Sequence, residues 1–441
     1  MGTVYTWSRG KQHANGGRDG RSRRRRQAAL ASLLVSLLAL VACNSAPQVD
    51  HSSPPALPVV SGGTAQSART PHLLSPDAAA ARLVSTMSLD EKLGQLIVVQ
   101  FTDTTYTPEQ AAMIRPFHPG GVMLYGYAMG TAQQLRGLLA GAQSDSPIPM
   151  LTLTDLEGGV VDRLAPYVGD HLSAPAMAAA GDPAVARGTG TQVAHDLLSF
   201  GFNTDLAPDV DIAVVMGPDQ WGRTFGSTPE PVTTLAGAWL QGLQQGGVVG
   251  CLKHFPGLGA ATTDAHQGLP IITRSRAQLE ATELAPYRAL IDAGDVSMVM
   301  STDELVPAVD PKMPAELSRP IITGILRDEL HYDGVAITDA LYMAGVSDRW
   351  SFAQAAVLAI EAGNDMIMAP WQPAMVQGIL AGLKQALAHG DLTMTEINTA
   401  VRRILALKIR YHVLPSLPAV RPGAGVDAQI DASGDAAVPQ K

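Results

Sequence analysis

Gly250-Cys251-Leu252-Lys253-His254, continuing as Phe255-Pro256-Gly257-Leu258-Gly259, opens as an apolar run, closes on two basic side chains and breaks at a Pro-Gly loop. Such a short run, bounded by turn residues, reads as a strand buried on both faces, with its polar groups gathered where it stops. Seven other runs repeat the theme: Leu96–Phe101, Gly121–Tyr125, Pro149–Thr154, Asn203–Ala207, Ser297–Ser301, Gly334–Thr338 and Asp365–Met368. Longer amphipathic stretches lie between them, among them Thr131–Gln143, Pro183–Ser199, Pro231–Gln244, Arg276–Ala293 and Pro320–Leu330. Strands alternating with helices imply parallel βαβ units, and eight of them predict an α/β fold, a single (β/α)8 barrel of the TIM type. A doubly wound open sheet is the competing architecture, although neither an internal repeat nor a Gly-rich phosphate loop favours it.

A barrel of this kind carries its chemistry at the C-terminal ends of its strands. Polar residues gather there in this chain. Asp155 and Glu157 follow the third run, Asp209 and Asp211 the fourth, Lys253 and His254 end the fifth, Thr302 and Asp303 follow the sixth, and Asp339 follows the seventh. Beyond the Pro-Gly loop, Asp264 and His266 stand two apart. An imidazole beside a carboxylate is held in one tautomer and made more basic, as general acid/base work near neutral pH requires. By residue type alone an Asp-x-His pair is a weak signal. Each of these residues also has a structural reading: a helix cap for Asp339, a loop histidine for His266, a rim cluster for Lys253 and His254, and surface arginines for Arg163 and Arg223. Cys251, inside an apolar run, reads as inert core.

The wording around these residues resembles the β-N-acetylhexosaminidase branch of glycoside hydrolase family 3. Lys253-His254-Phe255-Pro256-Gly257 with Asp264-Ala265-His266 is similar to that branch's catalytic loop, and Asp155-Leu156-Glu157-Gly158-Gly159 with Arg163 to its Asp-x-Glu-Gly-Gly segment. Leu206-Ala207-Pro208-Asp209-Val210-Asp211 is similar to its Ala-Pro-x-x-Asp strand end, and Gly222-Arg223-Thr224-Phe225-Gly226 to its Arg-Ser-Phe loop. Gly334-Val335-Ala336-Ile337-Thr338-Asp339-Ala340-Leu341 resembles the strand that presents the nucleophile. The resemblance runs in order through residues 80–412. It implies a retaining exo-β-N-acetylglucosaminidase acting on peptidoglycan fragments or chitooligosaccharides, in which Asp339 attacks the anomeric carbon. His266, held by Asp264, would serve as acid and then base in place of the second carboxylate usual in retaining enzymes. It further implies that Asp155, Arg163, Arg223, Lys253 and His254 bind the sugar and that no metal or organic cofactor is needed; a single barrel need not oligomerise, so a monomer is expected.

The chain departs from the family at several points. Val160 stands where an Arg is usual, Leu258 where a second His is usual, Ala260 where a polar residue is frequent, Ala265 where a Ser is usual, and a His common after the sixth strand is replaced near Thr302. These changes spare the nucleophile and the proton donor and leave sugar preference open. They also keep a second reading in play, a glycan-binding lipoprotein on the same barrel without turnover. The β-glucosidase-like branch takes its acid/base from a following domain, for which too little chain remains after Asp339.

The ends of the chain read differently. Residues 1–42 hold seven Arg and one Lys against a single Asp, a net of +7 that leaves −16 for the rest of a chain whose total is −9. That acidic remainder excludes a nucleic-acid partner, since phosphates would be repelled. A basic run, Arg23 to Arg26, precedes an apolar run, Ala28 to Ala42, that is short for a membrane span. Leu40-Val41-Ala42-Cys43 resembles a bacterial lipobox, which implies a lipoprotein signal peptide over 1–42 and lipid on Cys43. More than one acyl chain there would anchor the protein stably outside the cytoplasm, on the bacterial cell membrane. An uncleaved transmembrane anchor is the alternative. Residues 43–75, rich in Ser, Pro and Ala, read as a flexible tether, 76–412 as the catalytic domain, and 413–441 as a disordered tail. With only Cys43 and Cys251 present, neither a disulfide framework nor a cysteine metal site is available.

Overall fold

The computed structural model describes residues 73–217 and 220–417. Cys43, the expected signal peptide, and most of the expected tether and tail lie outside the described residues.

Eight parallel strands close a barrel: β1 Ile97–Phe101, β2 Gly121–Leu124, β3 Leu151–Thr154, β4 Thr204–Asp205, β5 Val249–Phe255, β6 Met298–Ser301, β7 Val335–Ala340 and β8 Met366–Met368. They follow one another in chain order around the ring, and β8 returns to β1 with Ile97 opposite Ile367 and Val98 opposite Met368. That last pairing makes the fold a (β/α)8 barrel and excludes the open doubly wound sheet. Except for Asp339, every residue of these eight strands is buried, as expected when helices cover one face of each strand and its neighbours' side chains fill the other.

Helices begin where the sequence supplies caps. At Ser88/Glu91, Thr107/Gln110, Thr131/Gln134, Ser275/Gln278, Ser351/Gln354 and Thr393/Glu396, a hydroxyl holds the third backbone N–H while the acid or amide reaches back to the cap. The predicted helix Arg276–Ala293 is two helices, Arg276–Ala281 and Ala285–Asp292. Pro286 explains the break, because it has no N–H to continue the ladder and occupies the first turn of the second helix. Pro320–Glu329 is wound as a wider π-helix, and β4 keeps only two regular residues of the predicted five.

At its N-terminal side the described chain is tied to its C-terminal side: Leu74 N–H donates to Leu417 C=O at 3.0 Å, and Leu414 is buried. The helices Pro76–Thr86 and Met394–Arg410 pack together under the barrel. Among the described residues no helix is long and apolar enough to cross a membrane.

Candidate active site

The loops after the strands' C-terminal ends enclose a cavity of about 630 Å³. Asp155, Arg163, Arg223, Lys253, His254, His266 and Asp339, spread over more than 180 residues of sequence, all line it. Asp264 stands one step behind, as the partner of His266. Three residues differ slightly from expectation: Lys253 and His254 precede the last residue of β5 instead of ending it, and Asp339 lies within β7 instead of after it.

Lys253 and Glu157 form the electrostatic centre. Lys253 Nζ lies 2.9 Å from Asp155 Oδ1 and 2.6 Å from Glu157 Oε1, and Arg223 grips Glu157 with Nε and Nη2 at 2.9 and 2.8 Å. Burial alone would raise the Glu157 carboxyl, but Arg223 and Lys253 overcome it and hold the group well below the usual carboxylate range. Lys253 is likewise held cationic: burial opposes its charge, and Asp155 and Glu157 more than restore it. Glu157 had no role fixed from the sequence. It is the buried anion that lets a lysine and an arginine share one wall, and its place in Asp155-Leu156-Glu157 was the available signal.

His254 is aimed by Asp211, whose Oδ2 lies 2.8 Å from Nδ1, while Asp211 Oδ1 accepts the N–H of Leu258 at 2.8 Å. Burial lowers the basicity of this imidazole, and Asp211 outweighs it, so its pKa is raised. Asp209 is pushed well above its ordinary value by burial and by Asp211 beside it. Asp209, Asp211 and His254 bring three potential ligand atoms within 4.8 Å of one another. The bonds from Asp211 to His254 and to Leu258, and from Asp209 Oδ1 to the Asp211 N–H at 2.8 Å, account for this packing as a hydrogen-bonded support for His254.

Asp339 is fixed on all sides. Its Oδ1 accepts the N–H of Ala340 at 2.7 Å, Thr302 Oγ1 donates to its Oδ2 at 3.5 Å, and its own N–H donates to Glu316 Oε2 at 3.1 Å. His266 is mostly exposed on its loop, where Asp264 Oδ1 accepts its backbone N–H at 2.9 Å and meets its Nδ1 at 3.1 Å. Burial works against the Asp264 charge, but the His266 N–H, Gln267 and the imidazole keep its pKa lowered. An ionised Asp264 on Nδ1 leaves Nε2 as the ring nitrogen able to exchange a proton with a ligand.

Other lining residues were not foreseen. Tyr125 and Tyr127, stacked at 6.0 Å and 24°, and Tyr342 supply aromatic surface, each just beyond the end of a strand. Of the positions that depart from the family, Leu258 and Ala265 line the cavity, Thr302 stands against Asp339, and Val160 is exposed.

A family model described as the glycosyl hydrolase family 3 N terminal domain matches residues 88–407. The chain is 31% identical to beta-hexosaminidase LpqI of Mycobacterium tuberculosis over 397 residues, which is 86% of this chain and 96% of that protein. It is 30% identical to beta-hexosaminidase A of Pseudoalteromonas piscicida over 335 residues, 70% of this chain but 56% of that longer protein. Among solved structures, a glycoside hydrolase family 3 beta-N-acetylglucosaminidase from Paenibacillus sp. superposes with a TM-score of 0.72 at 34% identity, over 77% of this chain and 65% of its own.

Proposed function

This chain belongs to glycosyl hydrolase family 3 and is a glycoside hydrolase, and from that premise we propose that it is a retaining exo-β-N-acetylglucosaminidase in which Asp339 is the nucleophile and His266 the acid/base. One observation carries the reading: a carboxylate with both oxygens oriented by donors and an Asp-braced histidine face the same cavity at the C-terminal end of a barrel. Double displacement needs these two functions on opposite sides of a glycosidic bond. Asp339 attacks the anomeric carbon as His266 Nε2 protonates the leaving oxygen. His266 then takes a proton from water, which releases the sugar from Asp339 with its anomeric configuration kept. Asp264 stabilises the imidazolium that donates the first proton and that the second step regenerates.

Lys253, Asp155, Arg223 and His254 supply directional donors and acceptors for the sugar's hydroxyls and N-acetyl group, and Arg163 adds an Nε that is buried without a protein partner. Three tyrosines offer flat apolar faces to the ring. The substrates we assign are peptidoglycan fragments or chitooligosaccharides with a terminal β-linked N-acetylglucosamine. We place the enzyme outside the cytoplasm, held at the membrane through lipid on Cys43, on the strength of the lipobox-like segment Leu40–Cys43. The segments 1–42, 43–75 and 413–441 are assigned on the same footing as signal, tether and tail.

The test is release of para-nitrophenol from its N-acetyl-β-glucosaminide by protein lacking residues 1–43, compared with a β-glucoside panel. Release from the N-acetylated substrate alone supports the reading. Binding of N-acetylglucosamine without release from any member of the panel contradicts it.

A further inference from the structure

Glu316 lies in the turn Ala315–Leu317, between β6 and β7, and is fully buried. Three hydrogen bonds make it a pin between strand ends. Its Oε2 accepts the N–H of Asp339 at 3.1 Å, its own N–H donates to Thr302 C=O at 3.1 Å, and its C=O accepts from Asn364 Nδ2 at 2.8 Å. Thr302 in turn donates from Oγ1 to Asp339 Oδ2. One residue therefore holds the backbone of the candidate nucleophile and the backbone of the residue that orients its carboxylate.

We propose that Glu316 is a positioning residue for Asp339, fixing the ends of β6 and β7 so that the Asp339 carboxylate is aligned for attack. The proposal rests on the reading of Asp339 as nucleophile and extends it to a residue outside the cavity lining.

The choice of a glutamate here is informative, because a buried carboxyl beside a catalytic carboxylate is tolerable only when uncharged. Burial, Asp303 from the loop after β6, and Asp339 from β7 all raise the Glu316 pKa well above its ordinary value, and the Asp339 N–H opposes them only in part. Helix Phe352–Ala362 packs on the same turn with the buried Ala355, Ala356 and Ala359, which bring no compensating charge. A protonated Glu316 accepts the Asp339 N–H without repelling the Asp339 carboxylate.

Three variants test this with the para-nitrophenyl N-acetyl-β-glucosaminide: Glu316→Gln, Glu316→Leu and Asp339→Asn, each with kcat, KM and a melting curve. Gln keeps the acceptor for the Asp339 N–H and stays uncharged, so its kcat stays within about threefold of the unmodified enzyme. Leu removes the acceptor, so kcat falls on the order of 100-fold, the scale of a 1 Å misplacement, with KM changed little. Unimpaired turnover by the Leu variant, or a loss in Gln as deep as in Leu, overturns the proposal. Turnover retained by Asp339→Asn removes the nucleophile reading and the Glu316 proposal with it, whereas failure of the Glu316 tests alone leaves that reading standing.

Discussion

Apart from the Lys253–Glu157–Arg223 cluster, the two ends of the barrel treat buried acids in opposite ways. At the N-terminal end Asp365 is neutralised by two arginines, Arg327 at 2.6 Å and Arg403 at 3.2 Å, and its Oδ2 also accepts the N–H of Ala336 in β7. Arg403 goes on to Asp333 at 2.8 Å. At the C-terminal end acids crowd together: Asp205, Asp209, Glu304 and Glu316 are all buried and all have their pKa values raised, each first by burial and then, in three of the four, by a neighbouring carboxyl. Paired charges at one end serve folding. Gathered acids at the other are unfavourable to folding, and they collect where a cavity has to act on a ligand. Substitutions at the N-terminal end should therefore change stability and spare turnover, and those at the catalytic end should do the reverse.

The largest expected effect is at the catalytic end. Asp339→Asn should lower kcat by at least about 10^4-fold, the scale on which enzymes lose a nucleophile, with a melting temperature no lower than before. Steady-state kinetics and a thermal melt on the same sample decide it, and an early melt would blur the contrast between the ends. His266→Ala should cost about 10²- to 10⁴-fold in kcat on substrates with poor leaving groups, and much less on para-nitrophenyl glycosides that need little protonation. Equal losses on both substrates would mean that His266 is not the proton donor.

At the N-terminal end, Asp365→Ala takes the carboxylate from Arg327 and leaves Arg403 with Asp333 alone. It should reduce stability by about 3 kcal/mol in a denaturant titration with kcat unchanged, since removing one partner of a buried ion pair strands the other charge. The smallest effect concerns Lys408, buried in the last helix with Nζ 2.7 Å from Gln95 Oε1. Burial lowers its pKa to about 7. A folded pKa depressed below the unfolded value means that the unfolded chain binds more protons between the two. Through this group stability is complete above about pH 10.4 and declines as pH falls toward 7. Lys408→Met should flatten that dependence in melts taken from pH 7 to 10; an unchanged slope would remove Lys408 as its source.

The same contrast explains what could be read from the sequence. Strands of a closed parallel barrel are buried on both faces, so all eight stood out as apolar runs. Asp155, Lys253, His254 and Asp339 were legible because each sits at or just beyond a strand end, whereas Arg163, Arg223 and His266 stand on longer loops and were legible through the family-like wording around them. The short run around Thr204 was harder to delimit, because Asp205 turns its side chain to the N–H of Leu156 and only two residues stay regular. Pro286 looked like an interior residue of one long amphipathic helix until its first-turn position was seen. Glu157 and Glu316 could not be assigned, because their roles depend on partners 66 and 96 residues away in one case and 23 in the other. A glutamate in Pro314-Ala315-Glu316-Leu317-Ser318 reads locally as a solvated turn residue, and only its burial against Asp339 says otherwise.

The account's central claim is a covalent sugar on Asp339, and the most direct test is intact-protein mass spectrometry with peptide mapping after reaction with a ring-fluorinated N-acetylglucosaminyl fluoride. The account predicts a gain of one sugar mass on the peptide that carries Asp339, absent from Asp339→Asn. Hydrolysis that proceeds with no adduct, or an adduct on another residue, would contradict it.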